Sequence, residues 1–123
     1  MYHKIELFVA FSFPDLSLDV INFNQTIVDS FHQSLLENKV TVAEFQLESI
    51  IDQGYTYTLK LESEFVNKWF PTLDEFSNKL LENLKSRFQF QLNTWVCVES
   101  YKRENGFEGR ISGFYNKRME LAL

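Results

Sequence analysis

The hydrophobic pattern of this 123-residue chain predicts an α+β fold, one antiparallel sheet with two helices on one of its faces. Three observations carry that expectation. The chain opens on a clean two-residue alternation, two later segments repeat apolar residues at helical spacing, and two alternating runs flank a short glycine-containing connection.

Residues 4–13 form the opening run. Ile5, Leu7, Val9, Phe11 and Phe13 share one side, with Lys4, Glu6, Phe8, Ala10 and Ser12 on the other. Glu6 interrupts the apolar run and no small-residue cleavage site follows, so it reads as a first strand rather than a signal peptide. Pro14 and Asp15 end it. Between Asn22 and Asn38 the period turns helical: Phe23, Ile27, Phe31 and Leu35 recur every four, widened by Val28 and Leu36. Asn22, three residues before Gln25, is the expected cap.

Thr41 to Ile51 alternates again, with Ala43, Phe45 and Leu47 opposite Glu44, Gln46 and Glu48. Asp52-Gln53-Gly54 reads as a turn in which Gly54 supplies a positive φ. Tyr55, Tyr57, Leu59 and Leu61 then alternate with Thr56, Thr58, Lys60 and Glu62, completing a β-hairpin. From Glu64 to Pro71 the pattern stays open between helix and loop. Thr72-Leu73-Asp74-Glu75 is a capping box, and Leu73, Phe76, Leu80, Leu81 and Leu84 form the stripe of the helix behind it. Lys85 and Arg87 complement the dipole at its end.

The two-residue period returns at Phe88. Phe88, Phe90, Leu92, Val96 and Val98 take one side; Gln89, Gln91, Asn93, Trp95, Cys97 and Glu99 take the other. Lys102 to Gly106 is a polar turn, a shorter strand is expected within Phe107–Tyr115, and residues 116–123 have no assignment. With right-handed crossovers this order predicts a ferredoxin-like split βαβ, βαββαβ, with a further C-terminal strand, as one domain over residues 1–123.

Net charge is −5 but unevenly placed. Residues 1–64 hold ten acidic and three basic side chains, a net −7; residues 65–123 hold seven acidic and nine basic, a net +2. Overall acidity argues against nucleic acid or an anionic membrane as partner, because both demand cationic footprints. No stretch approaches the roughly 20 apolar residues of a membrane span. Cys97 is the only cysteine, which excludes an internal disulfide and points to the reducing cytoplasm.

Catalytic constellations are missing from the linear pattern, and no enzyme is expected. Cys97 has only His3 and His32 as possible bases, and a lone cysteine on a strand is ordinarily a packing residue. The same three residues do not have zinc-ligand spacing, and none of Gly54, Gly106, Gly109 and Gly113 opens a helix after a strand, so neither metal nor cofactor is expected. Glu44 with Glu48, and Asp74 with Glu75, read as solvated carboxylates.

Leu7-Phe8-Val9 and Gly54-Tyr55-Thr56-Tyr57 resemble the two signature strands of the RNA-recognition family, which stacks bases on sheet aromatics. An RNA-binding module is what that resemblance implies. Against it, Tyr55 and Tyr57 share their side with Leu59 and Leu61, the side expected to be buried, and Gln53 stands where the family places a basic residue.

On the side of the sheet away from the helices, Phe8 and Trp95 are expected to meet as neighbours on adjacent strands, unless Glu64–Phe70 or the C-terminal tail covers them. Glu44, Glu48, Asp52, Glu62 and Glu64 form an acidic set around the hairpin. Together these residues predict a non-catalytic protein-binding module, an inhibitor of the toxin-neutralising immunity or phage counter-defence type, which occludes a partner protein with a basic surface. The alternative is a homodimeric regulatory domain that takes a small metabolite at the subunit junction.

Overall fold

The structure is a computed structural model and describes residues 2–12, 20–40, 42–51, 54–62, 68–90, 94–103 and 109–121. Seven elements follow one another: β1 (Tyr2–Ser12), α1 (Val20–Asn38), β2 (Val42–Ile51), β3 (Gly54–Glu62), α2 (Trp69–Arg87), β4 (Trp95–Arg103) and β5 (Ile111–Glu120). The strands form one antiparallel sheet in the order β2-β3-β1-β4-β5. The class is α+β.

Alternation decides which side of each strand is covered. Val9, Tyr57 and Val96 are 0%, 1% and 0% exposed and lie under the helices with Ile5, Leu7, Tyr55, Leu59 and Val98. The helices answer with Phe23, Ile27 and Phe31 from α1 and Leu73, Phe76, Leu80 and Leu84 from α2. Each such side chain contributes about 1.5–3 kcal/mol on burial, so a one-residue slip of any central strand is strongly opposed. Phe31, Phe45 and Tyr57 stack in sequence, at 4.9 and 4.8 Å between ring centroids, tying α1 to β2 and β3. Tyr55 and Tyr57, which carried the RNA-recognition resemblance, therefore sit on the covered side.

Between the helices the face of α1 is small and hydroxylated. Thr26, Ser30 and Ser34 are buried, and each hydroxyl donates to a carbonyl of its own helix, at 2.8, 2.6 and 2.7 Å. This lets α2 approach closely without orphaned polar groups. Asn83 donates to Ser30 at 2.8 Å, while Arg87–Asp29 and Lys79–Glu37 pairs close the rim at 3.3 and 3.1 Å.

Several boundaries differ from the sequence expectation. Helix α1 starts at Val20, so Asn22 lies inside it rather than at the cap position, and its carbonyl accepts from Thr26. Helix α2 starts at Trp69, three residues before the expected Thr72 cap. Pro71 is tolerated there because first-turn amides have no intrahelical acceptor to lose. Thr72 is then buried, and its hydroxyl has no hydrogen-bond partner among the described residues. β4 begins at Trp95 rather than Phe88, since pairing with β1 runs out at Ser12. Phe88 instead ends α2, donating its N–H to Leu84. β5 runs through Asn116 to Glu120, later and longer than expected.

Gly54 also has another role than the one its turn context suggests. Ile51 pairs with Gly54, whose φ is not left-handed. A Cβ on Gly54 would meet the Phe8 ring at 2.9 Å and the Val9 carbonyl at 3.0 Å, so the glycine makes room for Phe8. The turn residues Asp52 and Gln53, and the expected turn at residues 104–106, lie outside the described residues.

Candidate functional site

Both helices lie on one side of the sheet, and among the described residues neither helix covers its other face. Its composition follows from register. Across β1, β4 and β5 the rows read Glu6–Tyr101–Phe114, Phe8–Glu99–Asn116, Ala10–Cys97–Arg118 and Ser12–Trp95–Glu120. Thr56, Thr58 and Lys60 extend the face onto β3, with Gln46 and Glu48 on β2.

Aromatic side chains occupy both ends of this face. Tyr101 and Phe114 pack at 5.3 Å between centroids, and Phe114 is 51% exposed. At the other end the Arg118 guanidinium stacks over the Trp95 ring at 4.6 Å, while its Nε stands 3.7 Å from Glu120. Phe8 lies between them, its ring over Gly54. Phe8 and Trp95 thus share the face but do not meet. Glu99 is opposite Phe8 and Ser12 opposite Trp95, which separates the two by about four residues, or roughly 13 Å along the strands.

Polar groups link the rows. Asn116 donates to Glu99 at 3.0 Å, and Thr58 donates to Glu48 at 2.6 Å. Cys97 is buried in the middle, and desolvation, with Glu99 beside it, pushes its thiol above the ordinary value. That leaves it a poor nucleophile. His32 is exposed on α1, on the other side of the sheet from Cys97. Among the described residues no three His, Cys, Asp or Glu gather as metal ligands.

The acidic set is only partly visible. Glu48 is exposed beside Thr58. The backbone of Glu44 pairs with Lys60 and that of Glu62 with Tyr2, but their side chains, like Asp52 and Glu64 entirely, lie outside the described residues. A different carboxyl pair emerges between the helices. Hydrogen bonding between Glu37 and Glu75, with Lys79 alongside, holds Glu37 below the ordinary carboxyl value and pushes Glu75 above it.

Neither segment expected to cover the open face does so among the described residues. Trp69 abuts Gly113 on the helix side, and Met119 pairs with buried Val96 on that same side. Tyr115 points there too, donating to Asp74 at 2.9 Å and bonded to Ser77 at 3.0 Å. Sequence reasoning missed Tyr101, Phe114 and Arg118. Tyr101 continues the parity of Trp95 and Cys97 and was within reach; Phe114 and Arg118 required the placement of β5.

No family model matches the chain, and neither the curated proteins nor the solved structures include a match to it. No helix among the described residues is long and apolar enough to cross a membrane.

Proposed function

We propose that the chain is a non-catalytic protein-binding module, an acidic inhibitor of the toxin-neutralising immunity or phage counter-defence type that occludes a basic surface on a partner protein. The observation that carries the reading is the sheet face that Phe8, Trp95, Tyr101 and Phe114 share on the side away from the helices, with Phe114 51% exposed. Aromatic anchors near the centre of an interface supply most of its affinity, and peripheral charge mainly raises the association rate. The net charge of −5 and the acidic N-terminal half select a cationic partner. Cys97 as sole cysteine favours a cytoplasmic setting.

The order β2-β3-β1-β4 supports reading the first four strands and both helices as a ferredoxin-like split βαβ, to which β5 adds an edge strand. That extra strand widens the open face and contributes Phe114 and Arg118 to it.

The test is paired affinity capture from the native host, with the wild-type chain and a Trp95→Ser/Phe114→Ser variant whose circular dichroism matches it. A basic protein retained by the wild type and lost from the variant supports the reading. Equal retention by both forms, or no retention by either, counts against it.

A further inference from the structure

We infer that the outer edge of β2 is a second docking site, which accepts an extended partner segment alternating apolar and basic side chains. This goes beyond the open-face reading and does not depend on it. β2 is the terminal strand of the sheet, and among the described residues no strand pairs with its outer edge. It is ten residues long, with register irregularities between Val42 and Glu44 and between Leu47 and Ser49. Its regular stretch from Glu44 to Leu47, next to Glu48, offers a short template for β-augmentation, in which main-chain hydrogen bonds supply affinity and alternate side chains supply specificity.

At the C-terminal end of α1, shortly before the chain enters β2, lies a groove of about 560 Å³ lined by His32, Leu35, Leu36, Lys39 and Val40. Leu36 is 81% exposed, more than an isolated core-flanking leucine requires. Phe45 faces the same side and joins strand to helix, its ring 6.3 Å from His32. Leu47 follows two residues on and is half-exposed. An added strand would turn its apolar residues toward Phe45, Leu47 and the groove, and its intervening residues toward exposed Gln46 and Glu48.

Charge then selects the occupant. Glu48 stands on the open side of β2, and a lysine or arginine opposite it makes a favourable cross-strand pair. A second copy of this chain fits less well, because β2 carries no lysine or arginine to set opposite Glu48.

The test uses a fluorescein-labelled peptide alternating lysine with valine or leucine, followed by anisotropy and by amide chemical shifts of the full chain. Saturable binding is expected, with shifts at the amides of β2 and the C-terminal turn of α1. A peptide with glutamate in place of lysine should bind about tenfold or more weakly, with Glu48→Lys reversing the preference. N-methylation of alternate amides facing β2 should abolish binding, since it removes the ladder donors. Leu36→Glu, at an exposed helix position, should weaken binding and leave the circular dichroism unchanged. The proposal is overturned if the N-methylated peptide binds as well as its parent, if shifts fall on β5 or the open face, if no binding occurs, or if light scattering shows β2-dependent dimers. The Trp95→Ser/Phe114→Ser variant should bind this peptide normally, so failure here and failure of the open-face reading are separable.

Discussion

Gly54 and Gly113 are both strand residues whose missing Cβ is filled by an aromatic ring. At Gly113 an added Cβ would come within 2.4 Å of the Trp69 ring, whereas at Gly54 the nearest atom is on the Phe8 ring at 2.9 Å. Trp69 is buried in the core, while Phe8 is only partly buried on the open face. Gly113→Ala should therefore destabilise by about 1–3 kcal/mol, and Gly54→Ala by less, in urea titrations followed by tryptophan fluorescence. Equal costs would show that Trp69 is not held as described. The buried tyrosines predict a pH response. Desolvation raises the hydroxyl pKa of Tyr57 and Tyr115 above the ordinary 10.0. Both are neutral in the folded state, so their contribution is whole below that ordinary value and is lost as pH climbs from it toward the raised folded values. Alkaline unfolding should begin above pH 10.0, with tyrosinate absorbance from these two rings rising together with loss of structure rather than before it. Tyr57→Phe and Tyr115→Phe should each remove part of that coupled absorbance change.

Helix ends were the features hardest to read from the sequence, and α1 shows why. It stops through backbone geometry: Lys39 adopts a left-handed φ of 53°, and the Val40 amide donates back to Leu35 at 3.2 Å. That is a Schellman ending with its apolar Val40 tucked in, yet a lysine occupies the position glycine usually fills. Lys39→Gly should consequently stabilise the chain by about 1 kcal/mol, read as a raised urea midpoint with an unchanged slope. Destabilisation would mean that the lysine side chain contributes more than its backbone strain costs. The start of α2 misled differently. Thr72 to Glu75 has the composition of a capping box, but Trp69 and Leu73 sit on the buried stripe and draw the helix back by one turn, which Pro71 permits. β1 and the β2–β3 hairpin were readable because the buried positions described on β1 and β3, Ile5, Leu7, Val9, Tyr55, Tyr57 and Leu59, are all apolar or aromatic. β5 was not, because Gly113 and Lys117 fall on its helix-side positions and break the alternation; Lys117 reaches Asn78 at 3.0 Å. Without β5, Phe114 and Arg118 could not be placed on the open face from sequence.

Taken over the molecule, the pleat sorts the aromatic side chains into two populations with different work. Phe23, Phe31, Tyr55, Tyr57 and Phe76 hold the sheet to the helices. Phe8, Trp95, Tyr101 and Phe114 face away from that core, on a surface crossed by Glu99, Arg118 and Glu120. In the proposed reading, the acidic imbalance of the N-terminal half would steer a cationic partner toward aromatic side chains that come largely from the C-terminal half. The inhibitor reading proposed for this chain depends on that second population being open to solvent. Nuclear magnetic resonance with a soluble paramagnetic agent measures it directly. Side-chain signals of Trp95, Tyr101 and Phe114 should broaden strongly while those of Val9, Tyr57 and Val96 stay sharp. Protection of the first group to the level of the second would mean that the chain covers this face itself, and would contradict the account.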